Sequence, residues 1–158
     1  MTAAALRALD RGIETLLMLL LATLVGIGGL QVVWRFIFDS PLSWVLEASV
    51  ILMVWATMLS GYVGVRSNTH LSADFLGLAL TPGLRRALDG ATVLLCLLFL
   101  GVYGWTSLDV IDAMDGIPFT SIPLEQPALY WALPVGAVLM ALAFVARMAG
   151  HTAEAAKA

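Results

Sequence analysis

Four stretches of this chain carry no charge for about twenty residues each: Thr15–Trp34, Ala48–Val65, Gly90–Leu108 and Gln126–Ala146. An α-helix needs roughly 20 apolar residues to cross the hydrocarbon core of a bilayer. Irregular backbone there would leave amides without partners, so each stretch is expected to be a membrane-spanning helix. Composition agrees. The chain is 61% hydrophobic and 12% charged, with a mean hydropathy of +0.95. A soluble domain of 158 residues could not cover itself with so few charges. The expected fold is an all-α integral membrane protein, read as a single domain over residues 1–158. Helices are predicted over about residues 13–36, 44–66, 87–110 and 127–149, with interfacial amphipathic segments at about 40–46 and 71–80. The first helix is not read as a cleaved signal peptide. Its apolar core is too long and runs into Gln31, Trp34 and Arg35 without a small-residue cleavage site.

Arginine and lysine predict the orientation. Arg7 and Arg11 precede the first helix, Arg66, Arg85 and Arg86 lie between the second and third, and Arg147 and Lys157 follow the fourth. An even number of spans puts all of these on one side, and only Arg35 opposite. The loop before the fourth helix holds Asp109, Asp112, Asp115 and Glu125 and no basic residue. Both termini are therefore expected in the cytoplasm.

Several function classes are disfavoured. A net charge of −3 offers nothing to nucleic acid. Cys96 is the lone cysteine, reads as a small apolar filler, and allows neither an intrachain disulfide nor a cysteine-pair metal site. His70 and Asp74 share a helical face by spacing, but no third or fourth ligand stands near them, so a polar interface pair is preferred to a metal site and no metal or cofactor is expected. No nucleophile–base pair or phosphate loop is present. The membrane interiors hold almost nothing ionisable, unlike those of a pump or an independent transporter. Asp109, Asp112 and Asp115 read as solvated charge at a helix end.

What remains is contact. Helix one carries Gly26, Gly28 and Gly29, and helix two carries Ala56, Ser60 and Gly64 four residues apart; both read as close-packing surfaces. Between those helices lies WRFIFDSPLSWVLEASV, with Arg35, Asp39 and Glu47 framed by Trp34 and Trp44. The tryptophans suit an aromatic belt at the membrane surface. Ser40 is a candidate N-cap, with Pro41 at the first helical position. Arg35 and Glu47 are expected to close the turn, as an ion pair or separately. Pro134 is expected to bend the fourth helix.

The ordered set W-R-F, S-W-V-L-E, W-x-x-M-x-S-G-Y-x-G-V-R-S-N-T-H-L-S-A-D-F-L and T-S-I-P-L-E-Q-P-A-L-Y-W-A-L-P-V-G resembles the small membrane subunit of tripartite ATP-independent periplasmic (TRAP) transporters, the DctQ-like family. The likeness covers roughly residues 12 to 150. It implies a scaffold in the bacterial inner membrane, not an enzyme. Its implied partners are a large DctM-like membrane subunit that carries organic acids with sodium, a periplasmic solute-binding protein, and membrane lipids. It also implies interface roles for Trp44, Glu47, Arg35, His70 and Asp74, and matches Pro134 to a family proline. Many relatives have two adjacent acids where this chain has Leu46 and Glu47, so the likeness carries over no paired-carboxylate role. Two other readings stay open. An oxidoreductase membrane anchor would need histidine ligands within the membrane, whereas His70 and His151 both fall on the cytoplasmic side, and a small proton-coupled exporter would rest on Glu14.

Overall fold

The computed structural model describes residues 3–67 and 82–155. Its helices are α1 (Ala3–Phe38), α2 (Ser43–Arg66), α3 (Pro82–Ala113), the single turn α4 (Pro127–Tyr130) and α5 (Ala132–Ala155). Among the described residues there is no β-strand, only an isolated antiparallel bridge between Pro118 and Glu125. Four helical segments are long and apolar enough to cross a bilayer: Leu6–Phe38, Ser43–Arg66, Gly90–Ala113 and Pro127–Ala146. The all-α membrane fold expected from the uncharged stretches is the one observed. Segment 71–80, with His70 and Asp74 beside or within it, lies outside the described residues.

The helices form an open row more than a closed bundle. α2 and α5 are the middle pair; α1 packs on the free flank of α2, and α3 on the free flank of α5. The core is small and lies where these meet: Ile13 from α1, Leu59, Tyr62 and Val65 from α2, Leu100 from α3, and Ala137, Ala143 and Phe144 from α5. Large apolar side chains elsewhere are open, among them Val25, Phe36 and Phe38 on α1 and Leu94, Leu98 and Trp105 on α3. Lipid tails are as apolar as leucine, so such exposure costs nothing in a bilayer and helix association depends on close packing.

That close packing occurs at two glycines on the α2–α5 seam. A Cβ on Gly136 would lie 2.6 Å from the Met58 Cβ, and one on Gly61 would lie 2.8 Å from the Met140 sulfur. Each helix thus sends a methionine over a glycine of the other. The glycines expected to pack, Gly26, Gly28 and Gly29, meet nothing within 4 Å in this chain. Along α2 the buried side chains are Val45 near its start and then Ala56, Leu59, Tyr62 and Val65, three residues apart. Of the four-apart set, Ala56 is buried, Gly64 half-buried and Ser60 exposed, with its hydroxyl donating to the Thr57 carbonyl at 2.8 Å.

Two local expectations need correction. No separate interfacial helix occupies 40–46: α1 continues to Phe38, residues 39–42 turn, and α2 begins at Ser43 and runs unbroken. The cap position of α2 is Leu42, with no side-chain hydrogen bond, so Ser40 and Pro41 belong to the turn. Asp39 starts that turn in the left-handed region (φ 46°), which aspartate tolerates better than most residues. At the other proline, the helical path is interrupted at Trp131. Pro134 has no N–H for the Tyr130 carbonyl four residues back, and its ring crowds that carbonyl. The break therefore falls at the junction of α4 and α5 and leaves α5 itself continuous.

Candidate functional site: a carboxylate clasp and an ion-paired end

Glu47 sits in the second turn of α2 and faces the loop between α3 and α4. Its carboxylate accepts three consecutive backbone amides. Thr120 donates to Oε1 at 2.9 Å, and Ser121 and Ile122 donate to Oε2 at 2.8 and 3.1 Å. Successive amides aimed at one point form a concave anion-binding surface, here filled by the chain's own carboxylate. The loop also holds its own shape through hydrogen bonds that do not involve Glu47. Phe119 N–H donates to the Leu124 carbonyl and Gln126 N–H to the Ile117 carbonyl, both at 2.9 Å, closing a small hairpin. Leu124 N–H donates back to the Ile122 carbonyl at 2.8 Å, tightening its tip. Pro118 and Pro123 restrict the backbone on both sides of the three amides. Gly116 takes φ 71° where the chain leaves α3.

A second tie lies deeper on α2. Trp55 Nε1–H donates to the Ala128 carbonyl at 3.1 Å and fastens α4 to α2. Glu47 and Trp55 are eight residues apart, about 12 Å along the helix. Together they hold one face of α2 against the segment 117–130.

At the other end of α2, Arg66 grips Asp10 of α1. Nε donates to Oδ1 at 3.0 Å and Nη2 to Oδ2 at 2.6 Å, a two-pronged pair. The Tyr62 hydroxyl donates to the same Oδ1 at 2.6 Å. Arg66 and Glu47 stand nineteen residues apart on α2, about 28 Å. The hydrocarbon core of a bilayer is about 30 Å thick. The two polar ends thus bracket one membrane thickness.

The ion pair considered between Arg35 and Glu47 does not form; the loop amides occupy Glu47, and Arg35 is exposed near the end of α1. Trp34 packs against Phe38 in a tilted ring contact with centroids 4.3 Å apart. Trp34 and Trp44 are both exposed, as is Glu14. No group of three or more metal-ligating side chains occurs among the described residues. Asp109, Asp112 and Asp115 are exposed at and just beyond the end of α3. The Asp10–Tyr62–Arg66 network was not anticipated from the sequence. Its only signal was three polar residues at the ends of two apolar runs.

These features define a small multi-pass helical membrane protein whose two polar ends are internally fastened. The chain belongs to the DctQ component family of tripartite ATP-independent periplasmic transporters, whose family model matches residues 12–154. It is 30% identical over 122 residues to the sialic acid TRAP transporter permease protein SiaT of Haemophilus influenzae (strain 86-028NP), covering 73% of this chain and 19% of that protein. It is 24% identical over 163 residues to the C4-dicarboxylate TRAP transporter small permease protein DctQ of Vibrio cholerae serotype O1, covering 78% of this chain and 69% of that protein. The chain thus spans about a fifth of SiaT and about two thirds of DctQ.

Proposed function

We propose that this chain is the fixed scaffold subunit of a sodium-coupled TRAP transporter for organic acids in the bacterial inner membrane. It braces a large DctM-like subunit and helps a periplasmic solute-binding protein to dock. Family membership supports the transporter, and the likeness to small-permease DctQ supports the small-subunit role. The match to only a fifth of SiaT supports a larger membrane partner, because there the corresponding segment is part of a much longer permease chain. The observation that carries the scaffold reading is the clasp. Glu47 and Trp55 fix loop 117–130 to α2 without any second chain, as a brace requires and a moving gate does not.

Both termini are placed in the cytoplasm by the arginine asymmetry, so the clasp faces the periplasm, within reach of a binding protein. Arg35, Trp44 and Glu47 then lie at that outer end, with Trp34 and Trp44 anchoring its depth. His70 and Asp74 belong to the cytoplasmic side. Ser60 and Gly64 are the members of the α2 set left to a partner, since Ala56 is buried within the chain. The outer half of α1, with Gly26 and Gly29 open and Val25, Phe36 and Phe38 uncovered, is the broadest surface for the large subunit.

The test is copurification of the tagged chain from its native membrane in mild detergent. A large multi-span subunit should be recovered in comparable amount. Gly26→Leu with Gly29→Leu should lose that subunit while leaving this chain monodisperse. Recovery of the chain alone, or with a redox enzyme, overturns the reading.

A further inference from the structure

A groove of about 240 Å³ opens between the start of α1 and the last turns of α5, floored by the end of α2. Leu6 and Leu9 line it from α1, Leu142 and Val145 from α5, and Tyr62 and Arg66 from α2. The walls outrun the floor. α2 ends at Arg66, whereas α1 begins at Ala3, seven residues before the Arg66 partner Asp10, and α5 continues nine residues past Ala146 to Ala155. The groove therefore lies at the level of the Asp10–Arg66 pair and beyond it, away from the apolar run of α2. Arg66 stands about one hydrocarbon thickness from Glu47, so this level is the edge of the bilayer and acyl chains do not cover it. Yet Leu142 and Val145 are 44% and 54% exposed there. Apolar surface open at polar depth is costly, where the same surface against lipid tails is not.

The chain itself supplies a cover. Ser67 closes α2 beside the groove floor, its N–H donating to the Val63 carbonyl at 2.8 Å, and α3 starts at Pro82. Residues 68–81 join the two, fourteen residues that reach up to about 48 Å when extended. Leu71, Phe75 and Leu78 recur in this stretch at helical spacing. We infer that segment 71–80 seats in the groove, with Leu71 and Phe75 between the Leu6–Leu9 wall and the Leu142–Val145 wall. The inference needs only the membrane fold and does not depend on the transport role. The seated segment ties the ends of α1, α2 and α5 together. His70 and Asp74 each directly precede a seated residue, so a helical segment carries both on one flank, open to a partner subunit.

The test uses the full-length chain in its native membrane with Cys96→Ala, which removes the lone native cysteine. Val145→Cys is combined in turn with Leu71→Cys, Phe75→Cys, Ser72→Cys and Leu76→Cys. After oxidation with copper phenanthroline, peptide mass spectrometry maps the intrachain disulfides. Positions 71 and 75 should dominate over 72 and 76, which a helix turns away from the groove. In a second measurement, Val145→Cys alone should react slowly with a charged maleimide. Phe75→Ser should raise that rate about tenfold, the worth of one large apolar side chain leaving its seat. Equal disulfide yields at all four positions overturn the inference. So do disulfide-linked dimers, which would put a second copy of the chain in the groove. A slow maleimide rate unchanged by Phe75→Ser also overturns it and leaves the groove to lipid.

Discussion

Ser121 donates its backbone N–H to Glu47 at 2.8 Å across 74 residues of sequence, and the amides on either side of it do the same. A carboxylate offers about four acceptor positions, and three are used here. The chain thereby closes its own Glu47 end.

Glu47→Gln should open that end. A glutamine presents one oxygen and one NH2 group, so at least one loop amide would face a donor in place of an acceptor. Hydrogen bonds to a charged group are worth roughly 1.5–3 kcal/mol each, and an amide left unsatisfied adds its desolvation cost. A loss of about 2 kcal/mol of stability is expected, with faster amide exchange at residues 120–122. Glu47→Asp should also loosen the clasp, because its side chain is one methylene too short. Unchanged exchange at those three amides in both variants would contradict the clasp.

The two glycines of the α2–α5 seam should respond differently. Gly136→Ala puts a methyl 2.6 Å from the Met58 Cβ, which cannot move without its backbone. Gly61→Ala meets the sulfur of Met140, near the end of a flexible side chain. Gly136→Ala should cost about 1–3 kcal/mol and Gly61→Ala clearly less. Met140→Ala should relieve Gly61→Ala, whereas Met58→Ala should not relieve Gly136→Ala, because the offending Cβ stays. Thermal unfolding of the four variants in detergent checks this order.

At the other end of α2, Tyr62→Phe removes one hydrogen bond from Asp10 and leaves the ion pair, so about 1 kcal/mol should be lost. Asp10→Asn and Arg66→Gln combined should cost less than the sum of their separate costs, since either alone strands a partner. A double-mutant cycle on unfolding should therefore give a favourable coupling between Asp10 and Arg66. The pair is partly open to its surroundings, which keeps that coupling modest.

Trp55→Phe keeps the ring volume but loses the donor to the Ala128 carbonyl. About 1 kcal/mol of stability should go, concentrated in α4. Limited proteolysis within residues 117–130 should accelerate, while α1 and α3 stay resistant. Uniform destabilisation of all helices would show that Trp55 acts only as core bulk.

Sequence by itself determined the membrane fold. Charge-free runs of bilayer length leave a chain no other way to satisfy its amides, and four such runs give four helices. Glu47 also stood out from the sequence, because a carboxylate beside Trp44 at the edge of an apolar run requires a partner. Which partner was decided by tertiary structure. A backbone amide has no sequence identity, so Thr120, Ser121 and Ile122 could not be singled out, and Arg35 was the visible but unused choice. The small residues show the same division. Gly26, Gly28, Gly29, Ala56, Ser60 and Gly64 all have the right composition for close contact, yet the tight approaches fall at Gly61 and Gly136. Spacing identifies which residues share a face of one helix. Only the mutual placement of α2 and α5 determines which of those faces meets a methionine on the other.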